Sequence, residues 1–257
     1  MSSPTFIFLD QASRKPLPPF VLVMGLHRSG SSCLAGVLHN LGVYMGDQFC
    51  GVEKDGGHEA RGLARICQKA YRTPSTELKI PLESLRSMLA QYIHQVRNDA
   101  LKLNWPAAGG KFPQLCAMGE LIRDIVGDSL RVIHINRPLE VSIRSLQARY
   151  DRKAGREHSK DQELDAVQRW LWARKQEFLK GVKHLTIEYE DLLARPNLQI
   201  KRIVDYLRLS PSQQQLQNAL SYVQPDKRHF YLSARPVRGI GEASPAQGSK
   251  LSQRQSI

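Results

Sequence analysis

The chain has 257 residues, 41% hydrophobic and 24% charged, which suits one α/β domain of ordinary size or two small ones and excludes disorder throughout. Lys and Arg number 37 against 24 Asp and Glu, and the formal net charge of +13 favours a polyanionic partner: nucleic acid, a phosphorylated cofactor, an acidic lipid surface or an anionic glycan. No stretch reaches the ~18 apolar residues of a membrane span, residues 1–20 lack a signal-peptide apolar region, and no repeat is visible, so membrane-spanning, secreted and solenoid classes are set aside.

The first element in chain order is the uninterrupted apolar run Phe20–Met24, with prolines before it and Gly25 after it. That pattern predicts a strand buried on both faces of a parallel sheet. A helix follows from Ser31 through Leu41, ended by Gly42, and helices are expected over 59–72 and 82–104. In the last of these, Leu85, Leu89, Tyr92 and Val96 share one side. A second strand spans Leu130–Ile135 and turns through Asn136-Arg137-Pro138 into a helix from Leu139. The strongly charged segment 148–165 reads as a mobile loop. A third strand spans His184–Ile187, and a helix spans Pro196–Leu207. Trp170, Trp172 and Phe178 are expected to pack a helix against the sheet. Strands alternating with helices predict a three-layer α/β/α fold with a central parallel sheet. Residues 1–19 read as an N-terminal arm, 20–232 as the domain and 233–257, rich in Ser, Gly, Pro, Arg and Gln, as a flexible tail. Cys33, Cys50, Cys67 and Cys116 form no C-x-x-C pair, which argues against zinc or a disulfide framework and for reduced thiols in a cytoplasm.

Directly after the first strand stands Gly25-Leu-His-Arg-Ser-Gly-Ser-Ser32. A glycine-punctuated turn from strand to helix aims backbone N–H groups, backed by the helix dipole, at an anion. The spacing is nearly that of the nucleoside-triphosphate loop, but Ser31 occupies the lysine position. No carboxylate ends the strand Leu130–Ile135, so a magnesium-dependent triphosphate enzyme is disfavoured. Arg28 instead offers a planar guanidinium that can grip a phosphosulfate oxygen bidentately. Arg137 and Ser145, eight residues apart across a turn and a helix start, could hold a second phosphate.

These segments resemble the sulfotransferase family. Gly25 to Ser32 is similar to its 5′-phosphosulfate loop, and Asn136-Arg137-Pro138 through Ser145 to its 3′-phosphate motif. Glu188-Tyr-Glu-Asp-Leu-Leu-Ala-Arg-Pro196 is similar to a stretch after a late strand, Gly109-Gly-Lys-Phe-Pro113 to a K-x-P segment, and Gly56-Gly-His-Glu-Ala-Arg61 to a G-x-x-E-D-R segment with Ala60 in the Asp position. The resemblance implies a P-loop-type fold and a donor, 3′-phosphoadenylyl sulfate, released as adenosine 3′,5′-bisphosphate. It implies that Arg137 and Ser145 hold the 3′-phosphate, and that His27, Arg28, Ser29, Gly30, Ser31, Ser32 and Cys33 line the 5′ end. Glu59 is the first candidate for the base and His58 the second; Lys111 and Arg28 complete the catalytic set. No metal is expected. Lys227, Arg228, Arg235 or Arg238 would stand in for the family's C-terminal basic contacts. The acceptor is a small molecule, lipid or glycan carrying a hydroxyl or amine, and nucleic acid is not expected. A P-loop kinase or NTPase and a non-catalytic polyanion binder are the alternatives.

Overall fold

The run Phe20–Met24 forms strand β1, and all five of its side chains are buried. Such a strand needs neighbours on both edges and a layer on each face. In the computed structural model, which describes residues 15–50, 58–71, 76–154 and 161–223, five parallel strands provide them in the order β2-β3-β1-β4-β5. The other strands are β2 (Val43–Tyr44), β3 (Ala107–Lys111), β4 (Leu130–Asn136) and β5 (His184–Glu188). Phe20 pairs with Ala108 on one side and Leu130 on the other. From β1 the chain passes to the edge strand β2 and returns to β3 on one side, and then winds outward through β4 and β5 on the other. The C-terminal end of β1 is therefore the switch point, where crevices open in sheets of this kind.

Helices cover both faces. Leu22, Met24 and Val132 point into one apolar cluster with α2 (Arg61–Ala70), α3 (Leu82–Lys102), α4 (Gly119–Val126) and α6 (Asp161–Lys180). Val21, Val23, Ile133 and Ile135 point into the other, with α1 (Ser31–Asn40), α8 (Pro196–Leu207) and α9 (Gln213–Tyr222). The period-2 alternation of the strands thus feeds two separate cores, and the expected three-layer architecture is present. Helices α5 (Leu139–Ala154) and α7 (Tyr189–Ala194) follow β4 and β5. Within α3, Leu85, Leu89 and Val96 are buried as the spacing predicts.

Several features depart from the sequence reading. Strand β3 is Ala-Ala-Gly-Gly-Lys, with almost no intrinsic strand preference. It forms because its bare backbone fits a crowded slot: a Cβ on Gly109 would lie 2.7 Å from Met45 Sδ, and one on Gly110 would lie 3.0 Å from Phe20 Cζ. The supposed loop 148–165 is largely helical, since α5 continues to Ala154 and α6 begins at Asp161. Among the described residues, Arg149 and Glu163 are exposed on the outer faces of the two helices, whose inner faces bury Ile143, Leu146, Leu164 and Val167. Phe178 is buried and Trp170 rests on Tyr71, but Trp172 is 39% exposed and does not pack against the sheet. Helix α9, not foreseen, starts with a capping box between Ser212 and Gln215. The expected boundary at 232, the tail 233–257, most of the N-terminal arm, and Lys227, Arg228, Arg235 and Arg238 lie outside the described residues. Among the described residues, no helix is long and apolar enough to cross a membrane.

Candidate active site

The turn leaving β1 is built by side-chain exclusion. A Cβ at Gly25 would sit 2.6 Å from Ile135 Cγ2 and 2.8 Å from Ser29 Oγ, so only glycine lets the chain bend there. Arg28 and Gly30 take left-handed conformations, with φ of 64° and 87°. Gly30 is also the N-cap of α1 and supplies no side-chain cap, so the amides of the helix's first turn, from Ser31 on, point out of its N-terminal end. A Cβ on Gly30 would overlap the ring of Tyr189. The segment Gly25–Ser32 is therefore a turn that directs N–H donors outward at a helix N-terminus, at the switch point of the sheet.

The loop's side chains divide between bracing it and facing outward. Ser29 Oγ donates back to Leu26 O at 2.8 Å, and Ser31 is buried beneath the turn. Cys33 is half-buried, outside any disulfide, against the α1 side of the core. Gln168 of α6 donates to His27 O at 2.9 Å, fixing the loop from the opposite wall. Burial, with the nearby charges of Lys111, Arg149 and Arg28, pushes the His27 imidazole down to about 4, which leaves it neutral near pH 7. Its Nε2 is buried without a hydrogen-bond partner among the described residues.

The second predicted anion site lies against the first. Arg28 Nε donates to Ser145 Oγ at 3.2 Å, and Arg137 Nη1 donates to Arg28 O at 3.0 Å. Arg137 is nearly buried, held by Glu190 at 3.5 Å and lying over the Tyr189 ring at 5.0 Å. Tyr189 thus touches both sites, which explains physically why the stretch after β5 belongs to the same machinery. Asn136 bonds Glu188 at 2.9 Å and Arg195 bonds Asp191 at 2.6 Å, so these two carboxylates support the turns rather than face the crevice.

Lys111 ends β3, next to β1, at the same edge of the sheet. It is 2% exposed, and its ammonium donates to Ser32 Oγ at 2.8 Å and to Glu59 Oε1 at 2.7 Å. Burial lowers its pKa, and the Glu59 carboxylate works against that shift. Glu59 sits where the segment 48–50 runs antiparallel to 59–61: Cys50 N donates to Glu59 O at 2.8 Å and Arg61 N to Gln48 O at 2.8 Å. His58, its neighbour, turns away from this centre. Its ring packs on His39, Phe49 and Tyr222, with Nδ1 3.2 Å from Tyr222 Oη. Gly56 and Gly57, also part of that motif, lie outside the described residues. The structure therefore brings together Arg28, Ser32, Glu59, Lys111, Arg137 and Ser145, and leaves His58 on a separate aromatic cluster. Gln168 and Tyr189 escaped the sequence reading. Nothing local marks Gln168, whereas Tyr189 stands inside a motif already singled out.

The described geometry agrees with comparisons to known proteins. The profile of the Sulfotransferase family matches residues 19–213. Sulfotransferase STF9 from Mycobacterium avium is similar in fold at 13% identity, with a TM-score of 0.51 over 81% of this chain and 68% of that one. The sulfotransferase domain from the curacin biosynthetic pathway is similar at 15% identity, with a TM-score of 0.50 over 79% and 78%. No curated protein sequence matches the chain. A match over most of the length, on a central parallel sheet flanked by helices, establishes that this chain belongs to the sulfotransferase family and is an enzyme of sulfuryl transfer.

Proposed function

We propose that the protein transfers a sulfuryl group from 3′-phosphoadenylyl sulfate to a hydroxyl or amine of a small molecule, lipid or glycan. The observation that carries the donor is the contact between its two anion-binding turns, made through Arg28 to Ser145 and Arg137 to Arg28. A nucleotide with phosphates on both its 3′ and 5′ sides matches two such turns set side by side. The Gly25–Gly30 cradle, which added Cβ atoms would disturb, fits the 5′ end, while Arg137 and Ser145 fit the 3′-phosphate. A cytoplasmic location, with all four cysteines outside any disulfide, belongs to the same reading.

In this mechanism the acceptor oxygen or nitrogen attacks sulfur in line with the bridging oxygen of the phosphosulfate. A bond from the acceptor to sulfur forms as the bridging bond breaks, and the electron pair stays on the departing 5′-phosphate. Arg28 and the amides of Ser31 to Cys33 stabilise that growing charge. Glu59 takes the acceptor's proton. Lys111, tied to Ser32 on the donor side and to Glu59 on the acceptor side, fixes the distance between leaving group and base.

Ser32 supports this reading over a triphosphate enzyme. In triphosphate loops the hydroxyl at this position ligates magnesium. Here it accepts from a buried ammonium, and a divalent cation at the same place would meet like charge. Calorimetry with adenosine 3′,5′-bisphosphate in the absence of magnesium tests the donor. Binding is expected, with a loss of about tenfold or more in Arg28→Ala and in Arg137→Ala; no binding by the intact protein would sink the assignment. With labelled donor and an acceptor found by screening, Glu59→Gln is expected to lower kcat by about 10²–10⁴ while donor affinity stays unchanged. Normal turnover of that variant would remove Glu59 as the base.

A further inference from the structure

His58 is next to Glu59 in the chain yet shares no environment with it, and its backbone is costly. Its φ of 44° lies in the left-handed region, where a residue with a Cβ is strained. Strain of this kind persists only where surroundings impose it. Here they do: the ring is wedged among His39 (centroids 5.5 Å apart), Phe49 (4.8 Å) and Tyr222 (5.3 Å), and Nδ1 lies 3.2 Å from Tyr222 Oη. Tyr222 is fixed in turn. It ends α9, which packs along α1, and its ring fills the place where a side chain on Gly36 of α1 would be.

We infer that His58 and Tyr222 form a strut that holds the Glu59 carboxylate against Lys111, making them positioning residues of the reaction proposed above. The chain of contact runs from Gly36 of α1 through Tyr222 of α9 to the His58 ring. From there it passes along the strained peptide to Glu59, and then to Lys111 and Ser32. Both of its ends lie on α1, so the phosphate loop at the start of that helix and the base are referred to one rigid element. The pairing with 48–50 holds the Glu59 backbone on one side but leaves the direction of its side chain to be set, and an error of about 1 Å at such a group costs up to about a hundredfold in rate. The inference rests on the assignment of Glu59 as the base for its purpose, but not for its geometry.

The test therefore reads Lys111, whose ammonium loses its favourable partner if Glu59 swings away. Protein labelled with 13C at lysine Cε, with the Lys111 resonance identified by its absence from Lys111→Arg, is titrated without donor or acceptor. In Tyr222→Phe, which removes one hydroxyl, and in His58→Gly, which suits the left-handed backbone but removes the ring, the Lys111 midpoint is expected to fall by about one pH unit or more. The charged groups acting on Lys111 are Glu59, which raises its midpoint, and Arg28 of the loop and Arg149 of α5, which lower it. The groups facing Glu59 are Lys111 from β3, Cys50 from the antiparallel segment and Cys67 from α2. Of these only Lys111 is a cation in contact with it. An unchanged midpoint in both variants overturns the strut. An unchanged midpoint in His58→Gly alone also overturns it, because the backbone and not the ring would then be setting Glu59. Failure of Glu59→Gln to slow turnover would overturn the base and leave this titration result standing.

Discussion

Replacing Lys111 by methionine preserves the stem and removes the ammonium, and the consequences follow from what it touches. The Glu59 carboxylate and the Ser32 hydroxyl each lose a bond, at 2.7 and 2.8 Å, to an ammonium that is itself buried. Truncating one partner of a buried charged pair costs about 3–5 kcal/mol where the remaining charge stays buried. The Glu59 side chain keeps 27% exposure, so solvent relieves part of that cost. The expected outcome is a folded protein, checked by circular dichroism, with kcat down by at least about tenfold and a smaller change in donor affinity. A loss confined to donor affinity would mean that Lys111 serves the phosphosulfate alone. Gly30→Ala is expected to be more severe, since it meets both a positive φ and the Tyr189 ring. Bisphosphate binding should be lost in calorimetry, and near-normal binding would contradict the cradle. At this scale the sequence revealed Arg28, Arg137 and Ser145 because each stands in a motif whose spacing is itself the signal. It concealed Gln168, Tyr222 and the environment of His58, because those contacts join residues more than a hundred positions apart and leave no local pattern.

Helices and strands were legible in proportion to how far their own residues dictate them. β1 is the unbroken apolar run Phe-Val-Leu-Val-Met, and β4 carries Val132, Ile133 and Ile135 in its buried centre, so both read as strands. β3 was invisible because two of its five residues are glycine, and what makes it a strand is the space left by Met45, Val43, Phe20 and Leu63. The charged length of α5 and α6 read as a loop because a helix lying on a sheet needs only a narrow apolar stripe, and the polar face outnumbers it. The β3 account makes a prediction. Gly109→Ala improves the local preference for strand, yet its methyl would reach within 2.7 Å of Met45 Sδ and 3.0 Å of Val21 O. Overpacking should win, costing about 1–3 kcal/mol in urea unfolding. A neutral or stabilising result would show that Met45 yields freely.

Taken whole, the molecule buries basic side chains on a scale that its pH response should reveal. Beneath α6, Lys175 is 1% exposed and its ammonium lies 2.9 Å from His134 Nε2, while Thr186 Oγ1 lies 3.4 Å from Nδ1. Burial, helped by the Lys175 charge, pushes the His134 imidazole down to about 3, and His27 is held down at about 4. Both groups are neutral in the fold and take up protons near 6.5 once unfolded. Their contribution to stability is therefore complete above pH 6.5 and declines as pH falls toward 4 and then 3. Each contributes a slope of up to about 1.4 kcal/mol per pH unit in that window. His134→Gln, which keeps an acceptor for Lys175, should flatten the acid side of the stability profile measured by urea unfolding between pH 6.5 and 4. An unaltered slope would mean that His134 is not what titrates.

The position of β1 at the centre of the sheet has a consequence for the order in which the protein can be made. Its residues Phe20–Met24 are synthesised first among the strands, but the backbone they pair with arrives only with Ala108 and Leu130. Until then five consecutive apolar residues have helices α1, α2 and α3 to pack against but neither of their neighbouring strands, and contacts so distant along the chain form slowly. A ribosome stalled before residue 108 would hold out the most aggregation-prone segment of the molecule with nothing to pair against it.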